Sequence, residues 1–208
     1  MNQFRWIAAL SLAAVLLAAF ASPAEARKKK TLHDIPLQWK PTDDIGDTFG
    51  GLDLTDVYDV GFRIEPFVDK RDDAALIGEN REDADEGKIL KVTTTDDVGA
   101  WVSENFTEVL SIIGLKINDG GEDVVLSGEI RRFFVNEEST YKSDVAVLIT
   151  AQDGSGKTLW KGLAGGDATR FGRSYKAENY YEVLSDAVME AMSSLLDNSG
   201  FRQAVAGK

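Results

Sequence analysis

Apolar residues fall into two helical stripes along this chain. Between Thr95 and Ile113, the residues Val98, Trp101, Val102, Phe106, Val109, Leu110 and Ile113 recur at spacings of three and four, one face of a helix. Thr94 with Asp97 supplies a start signal, and Gly114 fits the left-handed position after the last turn. A second stripe runs from Asn179 to Leu196 through Leu184, Ala187, Val188, Ala191, Met192 and Leu195. Asn179 with Glu182 resembles a capping box, and Asn198 or Gly200 ends the helix.

Elsewhere the period shortens to two. Val60, Phe62 and Ile64 alternate with Gly61, Arg63 and Glu65, which predicts a strand over Val57 to Phe67, with Pro66 placing its end at an edge or bulge. Asp69 to Gly87 is charged and turn-rich, and Lys88 to Val92 reads as a short strand. In Val124 to Val135 the apolar parity shifts, which predicts a bulge near Arg131-Arg132. Val145 to Ala151 is apolar on both parities and reads as a well-covered strand; Thr158 to Ala164 follows it across the turn Asp153-Gly154-Ser155-Gly156. Gly162, Gly165, Gly166 and Gly172 then loosen the chain. The expected order is β-α-β-β-β-α. This is an α+β fold: an antiparallel or mixed sheet of about four strands with both amphipathic helices packed on one face, its last three strands forming a meander.

The flanks of this domain read differently. Arg5 precedes an apolar run from Trp6 to Ala21, and Ser22-Pro23-Ala24-Glu25-Ala26 places small residues before a cut after Ala26. Residues 1–26 therefore read as a secretory signal, and the expected location is the periplasm. Arg27-Lys28-Lys29-Lys30 opposes that reading, because basic residues tend to stay on the cytoplasmic side. An uncleaved anchor is the alternative, although Trp6 to Ala21 is shorter than the ~20 apolar residues of a spanning helix. Residues 27–56 carry Pro36, Pro41, three glycines and several Asp without a period, and read as an extended or disordered tail. The single domain is expected over 57–202, with a C-terminal tail over 203–208.

Composition narrows the function classes. A net charge of −12 argues against a nucleic-acid surface and against broad docking on anionic lipid. There is no cysteine, so neither disulfides nor a lipid anchor on an N-terminal cysteine is expected, and packing alone must hold the domain.

Four segments invite chemistry. Ala151 to Thr158 fits a relaxed phosphate-loop pattern, but Leu159-Trp160-Lys161-Gly162 continues it as a strand where a helix is needed, so a hairpin turn is expected and no nucleotide. The acidic run Glu82 to Gly87 fails the calcium-loop spacing, since Gly87 falls at position 5 when Asp83 is position 1. His33 is the only histidine and lies in the tail, which leaves neither a zinc set nor a Ser-His-Asp arrangement. No cofactor, metal or catalytic group is therefore expected. The fourth segment is Val68-Asp69-Lys70-Arg71, followed by Leu76-Ile77-Gly78. Asp69 and Arg71 at a strand end either brace the following loop or form part of a binding rim.

These features together resemble a known family. A strand ending in V-x-D-x-R, a loop reaching Ile77-Gly78, an amphipathic helix, a meander and a final helix carrying Tyr181-Glu182-Val183-Leu184-Ser185-Asp186-Ala187 are similar to the YajG-like group of bacterial envelope lipoproteins. The likeness covers about residues 57–202, and Asp69, Arg71 and Gly78 match the family's recurrent positions. The resemblance implies a small α+β domain of the Gram-negative envelope with no established enzymatic activity. Members usually carry a lipobox cysteine and this chain has none, so lipid attachment is not carried over.

The function expected on these grounds is a non-enzymatic periplasmic accessory protein that binds an envelope protein or a cell-wall or membrane component. The Asp69–Gly87 loop and the Gly162–Gly172 stretch are its expected contact surfaces. A small-ligand-binding or hydrolytic protein using acidic residues is the alternative.

Overall fold

The computed structural model describes residues 32–117 and 123–207. The proposed signal, its cut after Ala26 and the basic run Arg27–Lys30 lie outside the described residues.

The organising element is a long strand, β6 (Val124–Glu137), whose neighbours differ along its two edges. On one edge it pairs antiparallel over its whole length with β7 (Thr140–Asp153), which pairs in turn with β8 (Thr158–Phe171). On the other edge three short strands add to it in parallel, one after another: β1 (Gly61–Ile64), β2 (Val68–Asp69) and β3 (Leu76–Asp83). β4 (Lys88–Thr93) pairs antiparallel with β3, and β5 (Lys116–Ile117) lies parallel to β1. The result is a mixed sheet of eight strands. Among the described residues four α-helices accompany it: α1 (Ile45–Phe49), α2 (Val98–Ile112), α3 (Ala177–Asp197) and α4 (Ser199–Ala206).

The α+β class stands, but the expected four strands and two helices are corrected to eight and four. The reasons are local. β2 and β5 have two residues each, too short for any period. β3 lies inside the stretch that reads as a charged loop, because Glu79, Arg81, Glu82 and Asp83 leave only Leu76 and Ile77 as its apolar signal. β8 runs on to Phe171 through glycines that read as a loosened loop. One of those glycines has a packing role against the helix: a Cβ on Gly166 would lie 2.2 Å from the Ala187 carbonyl oxygen of α3. Only glycine lets helix and strand approach so closely.

Several expected features are in place. The register between β6 and β7 shifts between Ile130 and Arg132, a bulge. Gly114 follows α2 with φ 94°; the helix start moves from Thr94 to Asp97, whose Oδ1 accepts from the Ala100 amide at 3.0 Å. Asn198 ends α3 as proposed, and its side chain also caps α4 by accepting from the Phe201 amide.

The expected tail also gives way. Over residues 32–56 the chain is a packed strap: Leu32, Ile35, Leu37, Phe49 and Leu54 join the core. It enters by a parallel bridge from Leu32 to Val92 and is then held on the α3 surface. The Thr42 amide and hydroxyl both donate to Asp186 at 2.6 Å, and the Lys40 amide donates to Ser185 Oγ at 3.0 Å. Near the C-terminus, Val205 of α4 is fully buried where a tail is expected. The packed domain thus extends beyond 57–202 at both ends. With the strap over its back, α3 is buried on both sides, and Glu182, Ser185 and Asp186 are core positions.

Candidate functional site

The segment singled out in the sequence folds inward. β2 ends at Asp69, paired with Ile130 of β6, and the loop after it wraps around the Arg71 side chain. Arg71 Nε donates to Asp69 Oδ1 at 3.0 Å and Nη2 donates to Oδ2 at 2.7 Å, a two-pronged pair. Its remaining donors reach carbonyl oxygens: Leu76 at 2.7 Å and Phe133 at 3.2 Å from Nη1, and Ala74 from Nη2. The guanidinium also lies over the Phe133 ring, 5.6 Å from its centroid. The side chains of Arg71 and Asp69 are only 8% and 14% exposed. In this geometry the pair ties β2, the 70–75 loop, β3 and β6 together.

Gly78 sits on the same side of the sheet. A Cβ there would lie 2.7 Å from the Val135 carbonyl oxygen and 2.8 Å from a ring carbon of Tyr180. The absent side chain is what lets Tyr180 of α3 pack onto β3. Asp69 and Arg71 thus form one cluster, and Gly78 belongs to the neighbouring contact between β3 and α3.

The other motifs resolve into local structure. Asp153 Oδ1 accepts from the Ser155 amide, the Ser155 hydroxyl and the Lys157 amide, so the carboxylate occupies the turn where a phosphate would have to lie. Those bonds, led by the Ser155 hydroxyl, hold the Asp153 carboxyl below its ordinary pKa. The acidic run forms a 3-10 turn, Ala84–Glu86, closed by Gly87 at φ 74°. Among the described residues no group of three or more His, Cys, Asp or Glu could hold a metal ion. His33 Nδ1 is 3.5 Å from the Thr93 hydroxyl, which also lies 3.3 Å from Asp34 Oδ1. Here the carboxylate contacts the hydroxyl and not the imidazole, the reverse of what activating a nucleophile requires.

The sequence reading missed two clusters. Glu137 is fully buried; its Oε2 accepts from the Tyr180 hydroxyl at 2.8 Å and its Oε1 from the Tyr175 amide at 2.8 Å. Burial first, then the Glu137 carboxylate, push the Tyr180 hydroxyl far above its ordinary pKa. Tyr175 has φ 41°, a left-handed backbone rare for an aromatic residue. Its hydroxyl accepts from the Leu32 amide at 3.0 Å and so fixes the start of the strap. The second cluster is an acidic row on α3, where Glu178 and Glu182 both pair with Lys40 of the strap and Glu182 also pairs with Arg170. Glu178, Glu182 and Asp186 recur every four residues, and that spacing was the available signal.

What remains outward is surface. Open clefts among the described residues include three. One of about 350 Å³ is lined by Arg81, Glu82, Asp85, Glu138 and Arg173; another of about 470 Å³ lies beside the Asp153 turn; the third, of about 500 Å³, lies between Asp69 and Val98. On the sheet face away from the helices, Val68 registers with Glu129, Glu129 with Leu148 and Leu148 with Leu163, which makes one cross-strand row. Val68, Leu163 and Phe171 are 50%, 60% and 90% exposed.

No family model matches the chain. No curated protein matches it either. Among solved structures, a Xanthomonas campestris protein of the DUF330 family is similar at 10% identity, covering 85% of this chain and 96% of its own, with a TM-score of 0.49. PelC from Paraburkholderia phytofirmans, crystallised as a dodecamer, is 17% identical over 67% of this chain and 88% of its own, with a TM-score of 0.40. Lipoprotein GNA1162 from Neisseria meningitidis is 12% identical over 58% of this chain and 90% of its own, with a TM-score of 0.28. Among the described residues no helix is long and apolar enough to cross a membrane.

Proposed function

We propose that this chain is a non-enzymatic accessory protein of the cell envelope, working in the periplasm after removal of residues 1–26. It acts by contact with another envelope protein or a cell-wall or membrane component. The observation that carries the reading is the division of labour between the two faces of the sheet. On the inner face, the polar groups that could do chemistry are spent on the fold: Arg71 on three carbonyls and Asp69, Glu137 on Tyr180 and Tyr175, Asp186 on the strap. The space between helices and sheet is filled by apolar side chains. On the outer face, Val68, Leu163 and Phe171 stand in solvent, and Val68 and Leu163 share one cross-strand row with Glu129 and Leu148, the apolar surface that a partner would cover. The contact surface is accordingly assigned to the outer face of β8 and its neighbours, and not to Asp69 and Arg71.

The test is crosslinking in intact cells from a photoreactive residue at position 163 or 171 of a C-terminally tagged copy, with mass spectrometry of what is recovered. One dominant envelope partner, lost when Leu163→Ser and Phe171→Ser are combined in a chain with an unchanged circular-dichroism spectrum, is the expected result. Equal recovery with the double variant overturns the surface assignment. Peptides from residues 1–26 in the mature product overturn the removal of that segment.

A further inference from the structure

We draw no further inference here: the strongest candidate, the exposed apolar row of Val68 and Leu163 with Phe171 on the outer face of the sheet, already belongs to the proposed contact, and nothing in the structure shows what covers it.

Discussion

Replacing Arg71 with Ala separates a brace from a surface pair. An exposed ion pair contributes about 0–1 kcal/mol, because water screens it. Arg71 is 8% exposed, so its loss leaves the Asp69 carboxylate 14% exposed without a counter-charge. It also removes the guanidinium bonds to the Leu76 and Phe133 carbonyl oxygens, at 2.7 and 3.2 Å. Breaking a buried pair from one side costs roughly 3–5 kcal/mol. That is a large share of the ~5–15 kcal/mol that holds a domain together. In urea, with a slope of about 2 kcal/mol per molar, the unfolding midpoint of Arg71→Ala should fall by roughly 1.5–2.5 M. The double variant Asp69→Ala/Arg71→Ala should recover part of the loss, because no buried charge is then left alone. Arg71→Lys should fall between wild type and Arg71→Ala, since an ammonium keeps the counter-charge for Asp69 but cannot make the forked pair and reach the carbonyls together. Tryptophan fluorescence follows the transition. A midpoint drop below about 0.5 M for Arg71→Ala would refute the brace, since about 1 kcal/mol is what an exposed pair gives.

Other expectations follow from the same contacts. Gly166→Ala should destabilise by about 1–3 kcal/mol or more, read as a lower thermal midpoint, because its Cβ would meet the α3 backbone at 2.2 Å; Gly154→Ala, in open space on the Asp153 turn, is the neutral control. Asp186→Ala should speed amide exchange at Thr42 and Asp43, whose N–H groups donate to it, and unchanged exchange there would mean that the strap is held by its apolar residues alone. Tyr180 has its pKa raised, so the stability it contributes is present below its ordinary value of 10.0 and is lost as pH rises above it; absorbance at 295 nm should show its ionisation only with unfolding. Lys40 first, through its hydrogen bond, lowers the Glu178 pKa, so that contribution holds above the ordinary carboxylate range and fades as pH falls. Proteolysis of the strap should therefore quicken in acid, and Lys40→Met should weaken the pH effect, since Asp96 and Asp186 still hold the strap.

What the sequence determined by itself is local. The apolar stripes of α2 and α3, the glycine after α2, the Asp153 turn and the bulge at Arg131 are each written within one short stretch, where spacing and turn chemistry suffice. Tertiary structure decided the rest. The parallel additions of β1, β2 and β3 to β6 rest on two or three paired residues each, and their register comes from a strand far along the chain. The strap reads as polar because its donors are satisfied by Asp96, Ser185 and Asp186, which lie 59 to 145 positions away. The Asp69–Arg71 spacing permitted either a rim or a brace. Burial against Phe133 and the Leu76 carbonyl oxygen turned it inward, because a guanidinium removed from water must find acceptors for its donors, and the β2–β3 loop and β6 supply them.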